Sequence, residues 1–395
     1  MNPHILHTDV QEYIIQNSDQ PINVNKLILA GSPFSNVTVQ ELAQQIIGRS
    51  KAKQKLPTWF SCTNIYYPPG LNLEQTSSEI TARYKSQQIH GHTLIDLTGG
   101  FGIDDYFFTK VFKKVIHCEM NEELSTIASH NFGILQTDNV KSLCGDGIEI
   151  LKGLDTVDWI YIDPSRRHES KGKVFFLEDC LPNVPEHLDF LLSKSTNILI
   201  KTSPLLDISS GIKSLKNIKE IHVVAVENEV KELLWFIEKG YENELEIKTV
   251  NLQKKGNQEF DFIFFEESQL TLNLSEPKKY LYEPNAAIMK SGGFTSVSNH
   301  LSAPKLHRNS HLYTSDELIT FPGRRFEIIA SFPYQKKILA KTNINKANIT
   351  TRNFQESVSV LRKKFKIKDG GQDYLFFTTD CNDQKIVLQC KKVDL

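Results

Sequence analysis

Between residues 91 and 267, seven short apolar runs recur, at 93–95, 114–118, 140–144, 159–162, 197–201, 221–226 and 260–265. Each is too short for a helix, and stretches with helical spacing, such as 122–132 and 230–237, lie between them. That alternation predicts an α/β domain in which a parallel, doubly wound (Rossmann-like) sheet is covered by helices on both faces. Such sheets bind ligands outside the carboxyl ends of their strands, where the strand order reverses. Function is therefore to be sought in the residues after each run.

The first run is followed by Asp96-Leu97-Thr98-Gly99-Gly100-Phe101-Gly102-Ile103-Asp104. Its glycines permit positive φ and close approach of a ligand to the backbone. A helix N-terminus would then face that ligand, with Asp104 placed to cap it. Isolated turns of this kind are as often mere tight turns. The second run ends in Glu119-Met120, with Glu119 17 positions beyond Gly102, a distance suited to a carboxylate that accepts from ribose hydroxyls. The third leads into Gly145-Asp146-Gly147, where a carboxylate flanked by glycines can meet an adenine amine, and the fourth into Asp163-Pro164-Ser165-Arg166-Arg167. Any one of these carboxylates fits a surface turn. Four in register after four successive strands are a pattern. A dinucleotide fingerprint would need a third glycine at position 105, which is Asp105.

Together these motifs resemble those of class I S-adenosylmethionine-dependent methyltransferases, over roughly residues 74 to 267. The resemblance implies a seven-stranded sheet in the order 3-2-1-4-5-7-6 with the seventh strand antiparallel, and S-adenosyl-L-methionine as cofactor. It places Gly100 and Gly102 at the methionine part, Glu119 at the ribose and Asp146 at the adenine, with Asp96, Thr98, Asp104, Met120 and Gly147 as further cofactor-binding residues. The helix start Ser77-Ser78-Glu79 is similar to one that lies against the cofactor in RNA cap hypermethylases, which adds Ser78 and Glu79.

Enzymes that methylate base amines typically carry Asn/Asp-Pro-Pro-aromatic after the fourth strand. Here Asp163 and Pro164 are kept, but Ser165 and Arg166 replace the rest. An arginine there is suited to stack on a base or fork to a phosphate. Asp-Pro-x-Arg also resembles RNA 5-methyluridine enzymes, which attack with a cysteine after the fifth strand. This chain has Lys201-Thr202-Ser203-Pro204 there, and a hydroxyl at ordinary pKa is a poor nucleophile. Direct transfer is the expectation, with Asp163, Pro164 and Arg166 as the catalytic set. Asn228 and Glu229, in the charged stretch 227–235 read as a helix start, are further substrate-side candidates.

A chain of 395 residues predicts several domains. Residues 1–73 read as a helical domain, with helical patterns at 10–16 and 39–47 and a capping box from Thr38 to Glu41. Residues 74–268 would be the methyltransferase domain, followed by small α+β modules at 277–320 and 321–395. The net charge of -1 is uneven: residues 281–395 hold 18 Lys+Arg against 10 Asp+Glu, or +8, which leaves -9 for the rest. A basic module of that kind suits a polyanion, and equally a solvated face. The six cysteines show no CxxC spacing, and Cys118 and Cys144 lie in apolar runs that suggest core positions. A reduced, cytoplasmic protein without signal peptide, membrane span or metal is expected. His307 and His311, four apart, lack further ligands nearby.

The C-terminal stretches Tyr282-Glu283-Pro284-Asn285, Lys305-Leu306-His307, Asn309-Ser310-His311-Leu312-Tyr313 and Phe321-Pro322-Gly323-Arg324 are dense in aromatic, basic and amide groups. Beyond them the tail alternates strand-like runs with a basic helix at 353–365. The whole resembles a bacterial methyltransferase family with a ferredoxin-like insert and a C-terminal THUMP-like domain, which implies an RNA substrate such as tRNA or rRNA. Two other functions fit the same residues: methylation of a protein or small molecule, and RNA binding by a non-catalytic methyltransferase fold.

Overall fold

A computed structural model describes residues 1–19, 24–166, 176–342 and 344–394. The chain forms two compact units, residues 1–219 with 233–242, and residues 220–232 with 243–395.

The first unit begins with helices, among them α1 (Thr8–Ser18), α2 (Val39–Lys55) and α3 (Pro57–Ser61). Thr38 and Glu41 form the expected capping box, which satisfies backbone donors that a helix start leaves unpaired. Ile5, Val10, Ile14, Leu42, Ile46 and Trp59 pack into one apolar cluster with Phe101, Ile103 and Phe107 from the glycine turn and the helix after it. The helical segment is thus not a free appendage but shares a core with the turn that follows the first strand.

After α4 (Glu79–Gln88) come β1 (Gly91–Asp96), α5 (Ile103–Phe108), β2 (Phe112–Glu119), α6 (Glu122–Ile134), β3 (Val140–Cys144), α7 (Gly147–Lys152), β4 (Trp159–Ile162), α8 (Val184–Lys194), β5 (Asn197–Thr202), β6 (Ile218–Val226), β7 (Glu229–Glu238), β8 (Glu246–Leu252) and β9 (Gln258–Ile263). Their order in the sheet is β3-β2-β1-β4-β5-β7-β6-β8-β9. β1 to β5 are parallel wherever they adjoin, and β7 runs antiparallel to β5. The order 3-2-1-4-5-7-6 is therefore present, extended by two further strands, so that the sheet has nine strands rather than seven.

Residues 230–237, helical by their sequence spacing, form instead the antiparallel strand β7. Leu233, Leu234, Trp235, Phe236 and Ile237 are all buried, so both faces of the strand are covered. An apolar run without alternation does not separate a doubly covered strand from a buried helix. The supposed helix start at Glu227 is a two-residue hairpin turn: Glu227 and Asn228 have φ of 48° and 66°, as a turn matched to strand twist requires. Cys118 is buried as expected, whereas Cys144 is exposed at the end of β3, which lies at the sheet edge.

The second unit contains β8 between β6, parallel to it, and β9, antiparallel to it. It continues with β10 (Tyr280–Pro284), α9 (Ala286–Ser291), α10 (Phe294–His300), β11 (Tyr313–Ser315), β12 (Gly323–Pro333), β13 (Asn348–Thr351), α11 (Val358–Phe365), β14 (Asp373–Thr379) and β15 (Lys385–Lys392). These strands form a six-stranded sheet in the order β11-β10-β12-β15-β14-β13. The basic helix begins at Val358 with Ser357 as its cap, not at residue 353. Among the described residues, no helix is long and apolar enough to cross a membrane.

The turn after β1 depends on one glycine above the others. Gly102 has φ of 78°, and a Cβ there would lie 2.4 Å from the Phe132 ring. Left-handed backbone and overpacking each cost about 1–3 kcal/mol. Gly102→Ala should therefore lower stability by about 2–4 kcal/mol in denaturant melts. Gly133→Ala, in α6 with no atom within 4 Å of the added methyl, should be neutral or slightly stabilising.

Candidate active site

The carboxyl ends of β1, β2, β3 and β4 bring Asp96, Glu119, Asp146 and Asp163 to one end of the parallel sheet, as adjacent strands in register must. Hydrogen bonds tie them to the turn between β1 and α5. Asp96 Oδ1 accepts from the Thr98 amide at 2.7 Å and from the Thr98 hydroxyl at 3.1 Å. The same hydroxyl accepts from the Asp163 amide at 2.7 Å, so Thr98 couples the ends of β1 and β4. Glu119 accepts from the Gly100 amide at 2.9 Å and from the Asn121 amide at 2.7 Å. Met120 beside it is 64% exposed.

Asp146 caps α7, its Oδ1 accepting from the amides of Ile148 and Glu149. Gly147 is there for close approach: a Cβ would come within 2.4 Å of the Leu97 carbonyl oxygen. At Gly100 the situation is reversed. Its φ is 57°, and the only atom near a Cβ would be the Thr98 carbonyl oxygen at 3.7 Å, so a side chain would project into open space before the turn. The backbone there is open, so a ligand can lie against it.

Asp104 does not cap α5. The cap position is Gly102, in left-handed conformation, and Asp104 lies within the first turn. Its side chain points inward: Oδ2 accepts from the Ser77 hydroxyl and the Tyr161 hydroxyl, both at 2.8 Å, and Oδ1 lies 3.2 Å from Lys85 Nζ. Lys85 also donates to Ser77 Oγ at 3.1 Å. Burial alone would raise the Asp104 pKa, but Lys85 and then Lys201, aided by the two hydroxyls, hold it below the ordinary carboxylate range. Of the helix start 77–79, Ser77 is thus the residue that meets this cluster. Ser78 caps α4 through the Thr81 amide, and Glu79 accepts from the amide and hydroxyl of Thr58.

After β4, Asp163 forms an ion pair with Lys201 at the end of β5. Ser165–Arg166 then pairs antiparallel with Cys180–Leu181. This places the backbone of Arg166; its side chain, and Arg167 entirely, lie outside the described residues. Asn228, in the second unit, is committed to structure: its amide donates to Asn251 Oδ1 and its Oδ1 accepts from the Ala286 amide, both at 2.8 Å.

Sequence reasoning missed three groups held largely away from solvent. Lys85, Lys201 and His117 carry no motif, although a lysine closing the apolar run 197–201 is itself anomalous. His117 Nδ1 lies 2.6 Å from Asp105 Oδ2, both fully buried beneath the turn, and a Cβ at Gly99 would collide with the ring at 2.1 Å. Burial pushes the Asp105 carboxyl well up and the His117 imidazole down. Both directions favour the uncharged forms. His307, by contrast, is a turn residue: it accepts from the Asn309 amide and pairs with Asp383. Among the described residues, no cluster could hold a metal ion.

Comparison with known proteins gives two domain matches. Residues 280–322 match a ferredoxin-like domain, and residues 323–392 a THUMP domain-like one. No curated protein matches the chain. The crystal structure of a protein from Porphyromonas gingivalis W83, described as a "putative methyltransferase", superposes with a TM-score of 0.90 at 33% identity, covering 99% of this chain and 98% of that one. A Pyrococcus horikoshii protein described as a "putative RNA methyltransferase" gives a TM-score of 0.33 at 15% identity, covering 47% of this chain and 98% of its own. An rRNA methylase from Streptococcus thermophilus gives 0.31 at 14%, covering 40% and 94%.

Burial of Asp96, with Asp105 nearby, raises its carboxyl pKa well above the ordinary 3.8. The folded protein then holds a proton that the unfolded chain releases, so this group's contribution to stability falls as pH rises from about 4 through the raised native value. Asp96→Asn keeps an acceptor for Thr98 and removes that dependence. Its melting temperature relative to the wild type should climb between pH 5 and pH 8, by about 1.4 kcal/mol equivalent per unit of native shift titrated in that range. A constant difference across that range contradicts the assignment.

Proposed function

Because the chain belongs to the bacterial methyltransferase family represented by the Porphyromonas gingivalis protein, with its ferredoxin-like and THUMP-like domains, we propose that it is an S-adenosyl-L-methionine-dependent methyltransferase that modifies RNA, either tRNA or rRNA, by direct transfer. The observation that carries the cofactor assignment is the set of four carboxylates, Asp96, Glu119, Asp146 and Asp163, at the ends of four adjacent parallel strands around a turn whose Gly100 leaves the ligand space open.

When bound, S-adenosyl-L-methionine supplies an activated methyl group on a sulfonium, so the protein's task is chiefly positioning. Asp96, Thr98, Gly100 and Gly102 are assigned to the methionine part, with Asp104 ordering the turn from within. Glu119 and Met120 take the ribose, and Asp146 and Gly147 the adenine. Ser78 and Glu79 brace the preceding helix. Asp163 and Pro164 face the acceptor, with Arg166 following them. At the end of β5 stand Thr202 and then Ser203, with no cysteine, which supports transfer without a covalent enzyme intermediate.

An RNA substrate is supported by the THUMP-like match and by the +8 balance of residues 281–395. The four domains, 1–73, 74–268, 277–320 and 321–395, would then divide into a helical cover, a catalytic sheet and two substrate-side modules.

Calorimetry with S-adenosylhomocysteine should show binding that is weakened at least tenfold by Glu119→Ala and by Asp96→Ala. Unchanged affinity in both rejects the cofactor site. Nucleosides from a deletion strain, compared with its parent by mass spectrometry, should lack one methylated species in tRNA or rRNA.

A further inference from the structure

The choice of acceptor atom rests on the RNA methyltransferase reading proposed above, and within it turns on the pair Asp163–Lys201. β4 and β5 are parallel neighbours with Ile162 opposite Ile200, so Asp163 and Lys201 are the next residues along both strands. Their side chains are 34% and 12% exposed, and they form an ion pair. The position of Asp163 does not depend on that pair alone, since its amide is already bound to Thr98 Oγ1. A lysine so little exposed is costly to keep there. Its charge also reaches Asp104, whose carboxyl it helps to hold low.

An ammonium at this place discriminates between acceptors. A neutral base amine gains positive charge as it takes a methyl group, before its proton leaves. A cation beside it opposes that change. A hydroxyl behaves oppositely: its oxygen becomes a better nucleophile as its proton departs, and a fixed cation stabilises the charge that develops. The residues after Pro164 point the same way. Ser165 is exposed, and position 166, where enzymes that methylate base amines carry an aromatic ring, is Arg166.

We propose that the acceptor is a hydroxyl, the ribose 2′-hydroxyl of RNA, and that Lys201 is a catalytic residue at its oxygen. The 2′-oxygen forms a bond to the methyl carbon while the carbon–sulfur bond breaks, and that bond's electron pair stays on sulfur, which becomes a neutral thioether. The hydroxyl proton passes to Asp163 and from there to water. Lys201 keeps its charge throughout and holds the oxygen and the Asp163 carboxylate together.

The test uses the full-length protein with RNA from a deletion strain as substrate and a methyl-labelled donor. Labelled RNA is digested to nucleosides and, separately, hydrolysed in alkali, which cannot cut beside a 2′-O-methylated ribose. The expected result is label in a 2′-O-methylnucleoside and in alkali-resistant dinucleotides, with the same nucleoside missing from the deletion strain. Lys201→Met should slow transfer by about 100-fold or more, with S-adenosylhomocysteine affinity nearly unchanged and the melting temperature near that of the wild type. If Lys201→Met does not fold, Lys201→Arg, which keeps the charge but not the ammonium geometry, serves in its place and should also slow transfer. Label on a base nitrogen or carbon overturns the hydroxyl assignment and leaves the methyltransferase reading standing, as does label confined to protein. Full transfer by Lys201→Met overturns the role of the lysine. A wild type that neither binds S-adenosylhomocysteine nor labels RNA overturns both.

Discussion

The buried ion pair between Asp104 and Lys85 is the contact on which the rest of the site depends. It joins α5, which follows the glycine turn, to α4, which precedes β1, and through the Tyr161 hydroxyl it also reaches β4. Lys85 is fully buried and Asp104 nearly so. Two charges in that setting are tolerable because they are paired and Asp104 Oδ2 accepts from two hydroxyls; removing one partner of such a pair typically costs about 3–5 kcal/mol. The turn is thereby fixed from below, and the space in front of the Gly100 Cα is left open.

The same arrangement explains what could be read from the sequence. Strands β1 to β6 were legible because each is a short apolar run closed by polar residues, and a parallel sheet puts those residues at one end. Strand β7 was not, since its core is buried on both faces and shows no alternation. Asp104 was legible as important and misread in kind, because a carboxylate two residues inside a helix start looks the same in sequence whether it caps the helix or pairs with a lysine far along the chain. Lys85, Lys201 and His117 belong to that second class. Their partners are distant in sequence, and only the packing of α4, β5 and β2 brings the pairs together. Four strand-end carboxylates were found from local pattern; the cations and the imidazole packed near the turn required the fold.

In the second unit the sequence signal left two settings open, and the structure buries the residues that carried it. Tyr282, Glu283, Asn285, Lys305 and His307 belong to stretches whose mixture of aromatic, basic and amide groups suits either a nucleic-acid surface or a polar domain interface, and all five are buried. Glu283 is held by Arg324 and by Arg352, a doubly compensated buried carboxylate. Asn228, Asn251, Gln258 and Asn285 form a chain of hydrogen bonds that ends on the Gly323 carbonyl. Networks of this kind specify one packing of their elements, since any displacement leaves a buried polar group unpaired. The density of polar motifs there therefore reports scaffolding.

For the proposed RNA substrate, this relocation narrows where the polyanion can be met. Within α11, Arg362 is tied to Asp369, and Lys364 to Glu356 and Tyr334, so part of the basic helix is neutralised by its own module. Lys336, Lys337, Lys363, Lys366 and Lys368 remain exposed. Exposed lysines without a fixed geometry suit backbone phosphates, which attract charge without demanding a particular orientation, and they carry no sequence information of their own. Under the proposed RNA function, selection of one nucleotide falls to the end of the sheet where Asp163 and Lys201 stand in register.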